Sequence, residues 1–76
     1  MKLSDLKPGQ SAIIKSFDNS ELSLKLLEMG CLPGERISIV QTAPLDGPIS
    51  VLISGYSLSL RKLEAETILI ENTEYQ

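Results

Sequence analysis

The strictest pattern in the sequence is the alternation of apolar and polar residues across positions 49–60. The odd-numbered positions of Ile49–Ile53 share one face of an extended chain, and Tyr56–Leu60 alternates without a break. The dipeptide Ser54-Gly55 between these runs is a two-residue turn signal. Period-two patterning with serines on the outer face predicts two half-buried antiparallel strands joined by a tight hairpin. This half of the chain therefore favours a β fold.

Two Pro-Gly dipeptides mark further turns in the first half of the chain. Proline presets φ at the first central position of a turn, and glycine supplies the positive φ at the second. The pairs at 8–9 and 33–34 each precede a β-like run, Gln10–Phe17 and Glu35–Ala43. The sequence therefore predicts a turn followed by a strand at both places.

One helix is predicted between these two strands. Asn19 or Ser20 is a suitable N-cap, and Gly30 lies where a helix stop belongs. An apolar stripe recurs at i, i+4 and i+7 through Leu22, Leu26 and Met29. A helix of roughly ten residues is marginal alone, so it must pack on the sheet.

The remaining segments complete the predicted fold. Residues 44–48 form a loop, because their prolines exclude them from a central strand. Lys62–Glu66 is expected to form one helical turn, followed by a last strand over Thr67–Ile70. The prediction is one mainly β domain over residues 1–76, with a frayed end at 72–76. Its five strands, with one short inserted α-helix, form a small, partly open SH3-like β-barrel.

The predicted core follows from the same periodicity. Patterned apolar residues are usually buried, and Ala65 is expected to be a small residue under tight packing. The other predicted core residues are Leu26, Leu27, Ile37, Ile39, Val51, Leu58, Leu60 and Ile68.

The composition excludes several kinds of chemistry. The 76 residues contain no histidine, no tryptophan and one cysteine, Cys31. Catalytic triads that need an imidazole, cysteine–histidine zinc sites and an intramolecular disulfide are therefore impossible. Neither GxGxxG nor GxxxxGK[ST] occurs, so no nucleotide site is predicted. Cys31 is expected to be a small buried hydrophobe, and the chain is expected to be no enzyme.

The charge pattern bears on the partners of the chain. The formal net charge is −3, which argues against nucleic acid as a ligand. Residues 1–63 carry seven bases and six acids, whereas residues 64–76 carry four glutamates and no base. This acidic end is interpreted as a solvated strand and tail, with an acidic docking strip as the alternative. No apolar run reaches the ~20 residues of a membrane span, so no membrane insertion is predicted.

Three stretches in order resemble the ferrous iron transport protein A family, FeoA. They are LKLLEMGCLPGERISIV at 24–40, APLDGPISV at 43–51 and GYSLSLRKLEAETI at 55–68. The family pattern is a leucine-rich helix ending in LGxxPG, a strand, an APLGDP-like loop and a closing LRxxEA segment. Met29 replaces the usual leucine before Gly30, and Asp46-Gly47 reverses the common Gly-Asp order.

The resemblance implies a cytoplasmic, non-enzymatic accessory protein of ferrous iron uptake. Its expected partner is the FeoB-type membrane transporter, through that transporter's cytoplasmic GTPase domain. The same domain type closes the C-terminus of iron- and manganese-dependent repressors. A metal-sensing or metal-binding module is therefore the alternative, and self-association is left open.

The candidate site residues are those that the core and the turns do not need. Exposed polar residues and loop tips are the usual partner-binding positions. Gly30, Pro33 and Gly34 are assigned to structural turns, and Glu64 and Glu66 are weak candidates for loosely bound iron(II) or manganese(II). No cofactor is expected. The partner-binding candidates are Arg61, Lys62, Glu64, Leu45, Asp46, Gly47 and Leu24.

Overall fold

The computed structural model describes residues 1–71, so the predicted frayed end at 72–76 lies outside the described residues. A 3-10 turn at Leu3–Asp5 comes before the first strand. The elements that follow are β1 (Ser11–Phe17), α1 (Ser20–Glu28), β2 (Arg36–Thr42), β3 (Ile49–Ile53), β4 (Tyr56–Leu60), α2 (Lys62–Thr67) and β5 (Ile68–Glu71).

The five strands form one antiparallel sheet in the order β4-β3-β2-β1-β5. β4 and β5 are not paired with each other, so the sheet curves without closing. Register shifts between Ile14 and Ser16 and between Ile39 and Gln41 mark the irregularities of a curved sheet. The predicted fold, a mainly β, partly open five-stranded barrel, is confirmed.

The helix α1 begins and ends where the sequence predicts. The Asn19 side chain accepts hydrogen bonds from the N–H groups of Glu21 and Leu22, at 2.9 and 3.1 Å. Gly30 follows the helix with φ of +100°, a conformation that glycine adopts readily.

The second Pro-Gly turn is also confirmed. Gly34 has φ of +93°, and the N–H of Glu35 donates to the carbonyl of Leu32 across the turn at 3.1 Å. Pro33 occupies the first central position of this turn, as predicted.

Most of the predicted core is buried, and two leucines depart from the prediction. Leu26 of α1 is fully buried, but Leu27 is 38% exposed because the next position along a helix turns by about 100° away from the sheet. Leu58 is only partly buried, since β4 has a strand neighbour on one side alone. Cys31 is fully buried in the core, as predicted.

The N-terminal segment packs on the core through contacts that the periodicity did not predict. Leu3 is fully buried and Leu6 is 7% exposed. The N–H of Ile70 donates to the carbonyl of Met1 at 2.9 Å, and Lys2 forms a β-bridge with Leu69. These contacts cover the outer side of β5.

Candidate functional site

The loop between β2 and β3 presents an apolar side chain to solvent. The N–H of Gly47 donates to the carbonyl of Pro44 at 3.1 Å and closes a four-residue turn. Its central residues, Leu45 and Asp46, both have positive φ, 57° and 61°. Leu45 is 98% exposed. A leucine in the left-handed region is strained, and such strain is found at binding sites more often than elsewhere.

Gly47 is required in this loop by a close approach. A Cβ at position 47 would lie 2.6 Å from the Cβ of Ala43, which is closer than side chains can pack. Gly47 therefore fixes the path by which the chain returns from the exposed turn to β3.

Helix α2 inverts the expected exposure of its residues. Glu64 is only 4% exposed, whereas Leu63, the residue before it, is 63% exposed. The Glu64 carboxylate accepts from the N–H of Arg61 at 2.9 Å and lies 2.8 Å from the Lys25 ammonium. The interpretation of Glu64 as part of a solvated acidic end is therefore wrong, because this carboxylate ties α2 to α1.

Burial by itself raises the pKa of the Glu64 carboxyl. The Lys25 hydrogen bond, the Arg61 N–H and the positive charges of both residues outweigh this effect, so the pKa is lowered from its ordinary value. Burial, with a smaller contribution from the nearby Glu64 charge, raises the pKa of the Cys31 thiol. At neutral pH Glu64 is thus an ionised buried group, and Cys31 is a neutral one.

A groove of about 570 Å³ lies between the loop and the start of α2. We call it the loop–helix groove. It is lined by Asp46, Gly47, Pro48, Ser59, Arg61, Lys62 and Leu63.

One ion pair joins the two sides of the groove. The Lys62 ammonium lies 2.9 Å from the Asp46 carboxylate, and this hydrogen bond raises the pKa of Lys62. Within residues 1–71, the exposed Arg61 guanidinium has no ion pair of its own. The groove therefore offers a cationic group beside the apolar side chain of Leu63.

The structure brings together four of the predicted partner-binding residues. Arg61, Lys62, Asp46 and Gly47 line the groove, and Leu45 is next to it in the chain. Leu24 is 63% exposed, as expected, but it lies on α1 and does not line the groove.

Three residues of the groove were missed. They are Pro48, Ser59 and Leu63. No local signal in the sequence could have found Leu63, because its exposure follows from the burial of Glu64, Ala65 and Thr67 on the same short helix.

The described residues do not fit a tight metal site. Across positions 1–71, no three carboxylate or thiol side chains are grouped as metal ligands. Glu64 is already engaged by Lys25 and Arg61, and its predicted partner Glu66 is half-buried on the same short helix. No helix in this part of the chain has the length and apolarity to cross a membrane.

Comparison with known proteins gives the family. The FeoA domain family model matches residues 1–72. The chain is 39% identical over 72 residues to an Fe(2+) transport protein A/Fe(2+) transporter FeoB fusion protein of Porphyromonas gingivalis. The match covers 93% of this chain and only 8% of that relative.

Solved structures agree with this assignment. An iron(II) transport protein A from Clostridium thermocellum is 50% identical, with a TM-score of 0.87 over 96% of this chain and 46% of that one. FeoA of Stenotrophomonas maltophilia, described as a procaryotic SH3 domain protein complexed with zinc, is 28% identical, with a TM-score of 0.79 over 93% and 89% of the two chains.

A manganese-dependent transcriptional repressor shares the fold alone, at 17% identity and a TM-score of 0.85 over 93% of this chain and 36% of that one. The SH3-like, five-stranded barrel is thus the fold of this chain, and the family model identifies its domain. The chain belongs to the FeoA family.

Proposed function

We propose that this chain is a non-enzymatic, cytoplasmic accessory protein that docks on a FeoB-type ferrous iron transporter and modulates iron uptake. The observation that carries the proposal is the fused relative, in which a matching segment and the transporter share one polypeptide. Fusion of two modules raises their effective concentration to about the millimolar range. A fusion of this kind favours binding between the two modules, which is the expected relation between an accessory protein and its transporter.

The loop–helix groove and the exposed Leu45, which is next to it in the chain, form the docking surface in this proposal. Partner sites combine an apolar anchor with a few charged groups of defined position. Leu45 supplies the anchor. The Arg61 guanidinium, which has no ion pair within residues 1–71, supplies a charge that an acidic residue of the transporter's GTPase domain can meet. The Lys62–Asp46 ion pair holds the loop and helix α2 in a fixed relation.

No tight iron(II) or manganese(II) site is part of the proposal. The metal-sensing alternative needs a donor set that the described residues do not provide, since Glu64 is held by two other groups. The likeness to the manganese-dependent repressor concerns the fold only.

The proposal predicts an uptake defect in a strain without the gene. Uptake of radiolabelled iron(II) should fall while transporter abundance, measured by immunoblot, stays unchanged. Expression of the wild-type chain should restore uptake, and the Arg61→Glu variant should restore less. Normal uptake in the deletion strain under iron limitation would contradict the proposed role.

A further inference from the structure

The two edges of the open sheet are protected very differently. The outer side of β5 is covered by Met1 and Lys2, through the hydrogen bond to Ile70 and the bridge to Leu69. In the described part of the chain, β4 has no strand on its outer side and no backbone hydrogen bond to another segment there. β4 also contains no proline and no charged residue, the usual devices that keep an edge strand from pairing.

The hairpin fixes which groups β4 presents on this bare edge. Ser54 and Gly55 have φ of 50° and 82°, the geometry of a two-residue turn with both central residues at positive φ. Such a turn makes Ile53 and Tyr56 a hydrogen-bonded pair, and the pairs alternate from there along the register. The N–H and C=O groups of Ser57 and Ser59 therefore point away from β3.

We infer that this edge pairs with the same edge of a second copy of the chain. In the symmetric antiparallel register, Ser57 of each copy lies opposite Ser59 of the other copy. Each of these two pairs exchanges two backbone hydrogen bonds, so the interface contains four. Leu58 lies on the two-fold axis, opposite its own counterpart. The two Leu58 residues form a non-hydrogen-bonded pair, in which the Cα atoms are about 4.5 Å apart. The partly buried Leu58 side chain therefore gains the Leu58 side chain of the other copy as an apolar neighbour.

Charge favours this register at both ends of β4. The hairpin end carries Glu35, whose carboxylate accepts from the Ser54 hydroxyl and has no ion pair among the described residues. The register brings Arg61 of the second copy opposite Gly55, next to that carboxylate. Arg36 extends in the other direction, to Ser11 on β1 at 3.1 Å. Two Glu35–Arg61 pairs thus flank the interface.

A dilution series of amide spectra of the full chain tests the interface. The amide resonances of Ser57 and Ser59 should shift with protein concentration, and their hydrogen exchange should slow. The amide of Leu58 should change little, because it already bonds to β3. Sedimentation should show a monomer–dimer equilibrium. A monomer at about 1 mM, or concentration-dependent shifts confined to another surface, would overturn the inference.

Two variants of opposite charge at position 57 test whether charge at this position changes the dimer dissociation constant in the expected direction. Ser57 is exposed and does not line the loop–helix groove, so changing it leaves the proposed docking surface intact. In the dimer, position 57 lies diagonal to Arg61 of the other copy and also to position 57 of the other copy. Ser57→Lys adds repulsion at both places and should raise the dimer dissociation constant by at least about tenfold. In Ser57→Glu the attraction to Arg61 offsets the repulsion between the two glutamates, so the dissociation constant should stay within about twofold of the wild-type value.

Both variants should keep the wild-type unfolding midpoint when it is measured at protein concentrations well below the dissociation constant, where the chain is monomeric, since position 57 faces solvent. Equal dissociation constants for the two variants would also overturn the inference. As a rescue, Arg61→Glu combined with Glu35→Lys should restore the dimer that each single change weakens. This dimer goes beyond the proposed function. It uses Ser59 and Arg61, which also line the loop–helix groove, so dimer formation would compete with docking, but a failure of docking on the transporter would leave the dimer unaffected.

Discussion

At the scale of single residues, Glu64 shows how a charge can be structural. Its carboxylate is nearly buried, yet it accepts from the Arg61 N–H and pairs with Lys25, so two groups offset the cost of removing it from water. Breaking such a pair by removing one partner destabilises a protein more than the pair itself stabilises it.

The first prediction concerns the pH dependence of stability. The folded pKa of Glu64 is lowered, so the unfolded chain binds a proton more readily than the folded chain. The stabilisation from Glu64 is therefore complete above its ordinary pKa of 4.5 and is lost as pH falls through the lower folded value. Urea unfolding at a series of pH values measures this.

The matched variant for this prediction is Glu64→Gln, which keeps the shape and cannot ionise. It should be less stable than the wild type at pH 7, and the difference should shrink toward acid pH. A difference that stays constant down to the lowest pH at which the chain folds would contradict the ion-pair account.

At the scale of elements, helix α1 depends on its ends. It is nine residues long, and the N–H groups of its first turn have no hydrogen-bond partner within the helix. These groups are a large share of so short a helix. The Asn19 side chain satisfies two of these groups, at Glu21 and Leu22. Because Leu26 and Lys25 attach this helix to the core and to α2, fraying at the start weakens both contacts.

We therefore predict that Asn19→Ala lowers the free energy of unfolding by about 1 kcal/mol. Asn19→Asp is the control, since an aspartate at the N-cap accepts the same hydrogen bonds and interacts well with the positive end of the helix. Urea denaturation of the three proteins measures the effect. If the alanine and aspartate variants were equally stable, the cap would not contribute.

The elements also show what sequence reasoning can and cannot reach. The hairpin at Ser54-Gly55, the turn at Gly34 and the helix cap at Asn19 are predictable because their signals are local. The burial of Glu64 and the exposure of Leu27 and Leu63 are not, because they depend on how α1 and α2 pack together. The predicted groove residues Arg61 and Asp46 lie 15 positions apart in sequence, and only the fold shows that they meet.

At the scale of the whole molecule, stability and recognition lie on different parts of the barrel. The aliphatic core and the Glu64–Lys25 pair hold the fold together. The exposed Leu45, the loop–helix groove and the bare edge of β4 contribute little to the stability of the fold.

Leu45 is strained by its positive φ, so replacing it with asparagine, which tolerates this region, should leave the fold as stable as the wild type or slightly more stable.

The most direct measurement is a titration of the chain against the full-length FeoB-type transporter in detergent, with GDP and with a GTP analogue. Saturable binding is expected in at least one nucleotide state. Leu45→Asn should weaken it at least about tenfold, whereas Leu32→Asn, at another exposed leucine outside the groove, should leave it unchanged. No saturable binding in either state, or equal affinity for both variants and the wild type, would contradict the account.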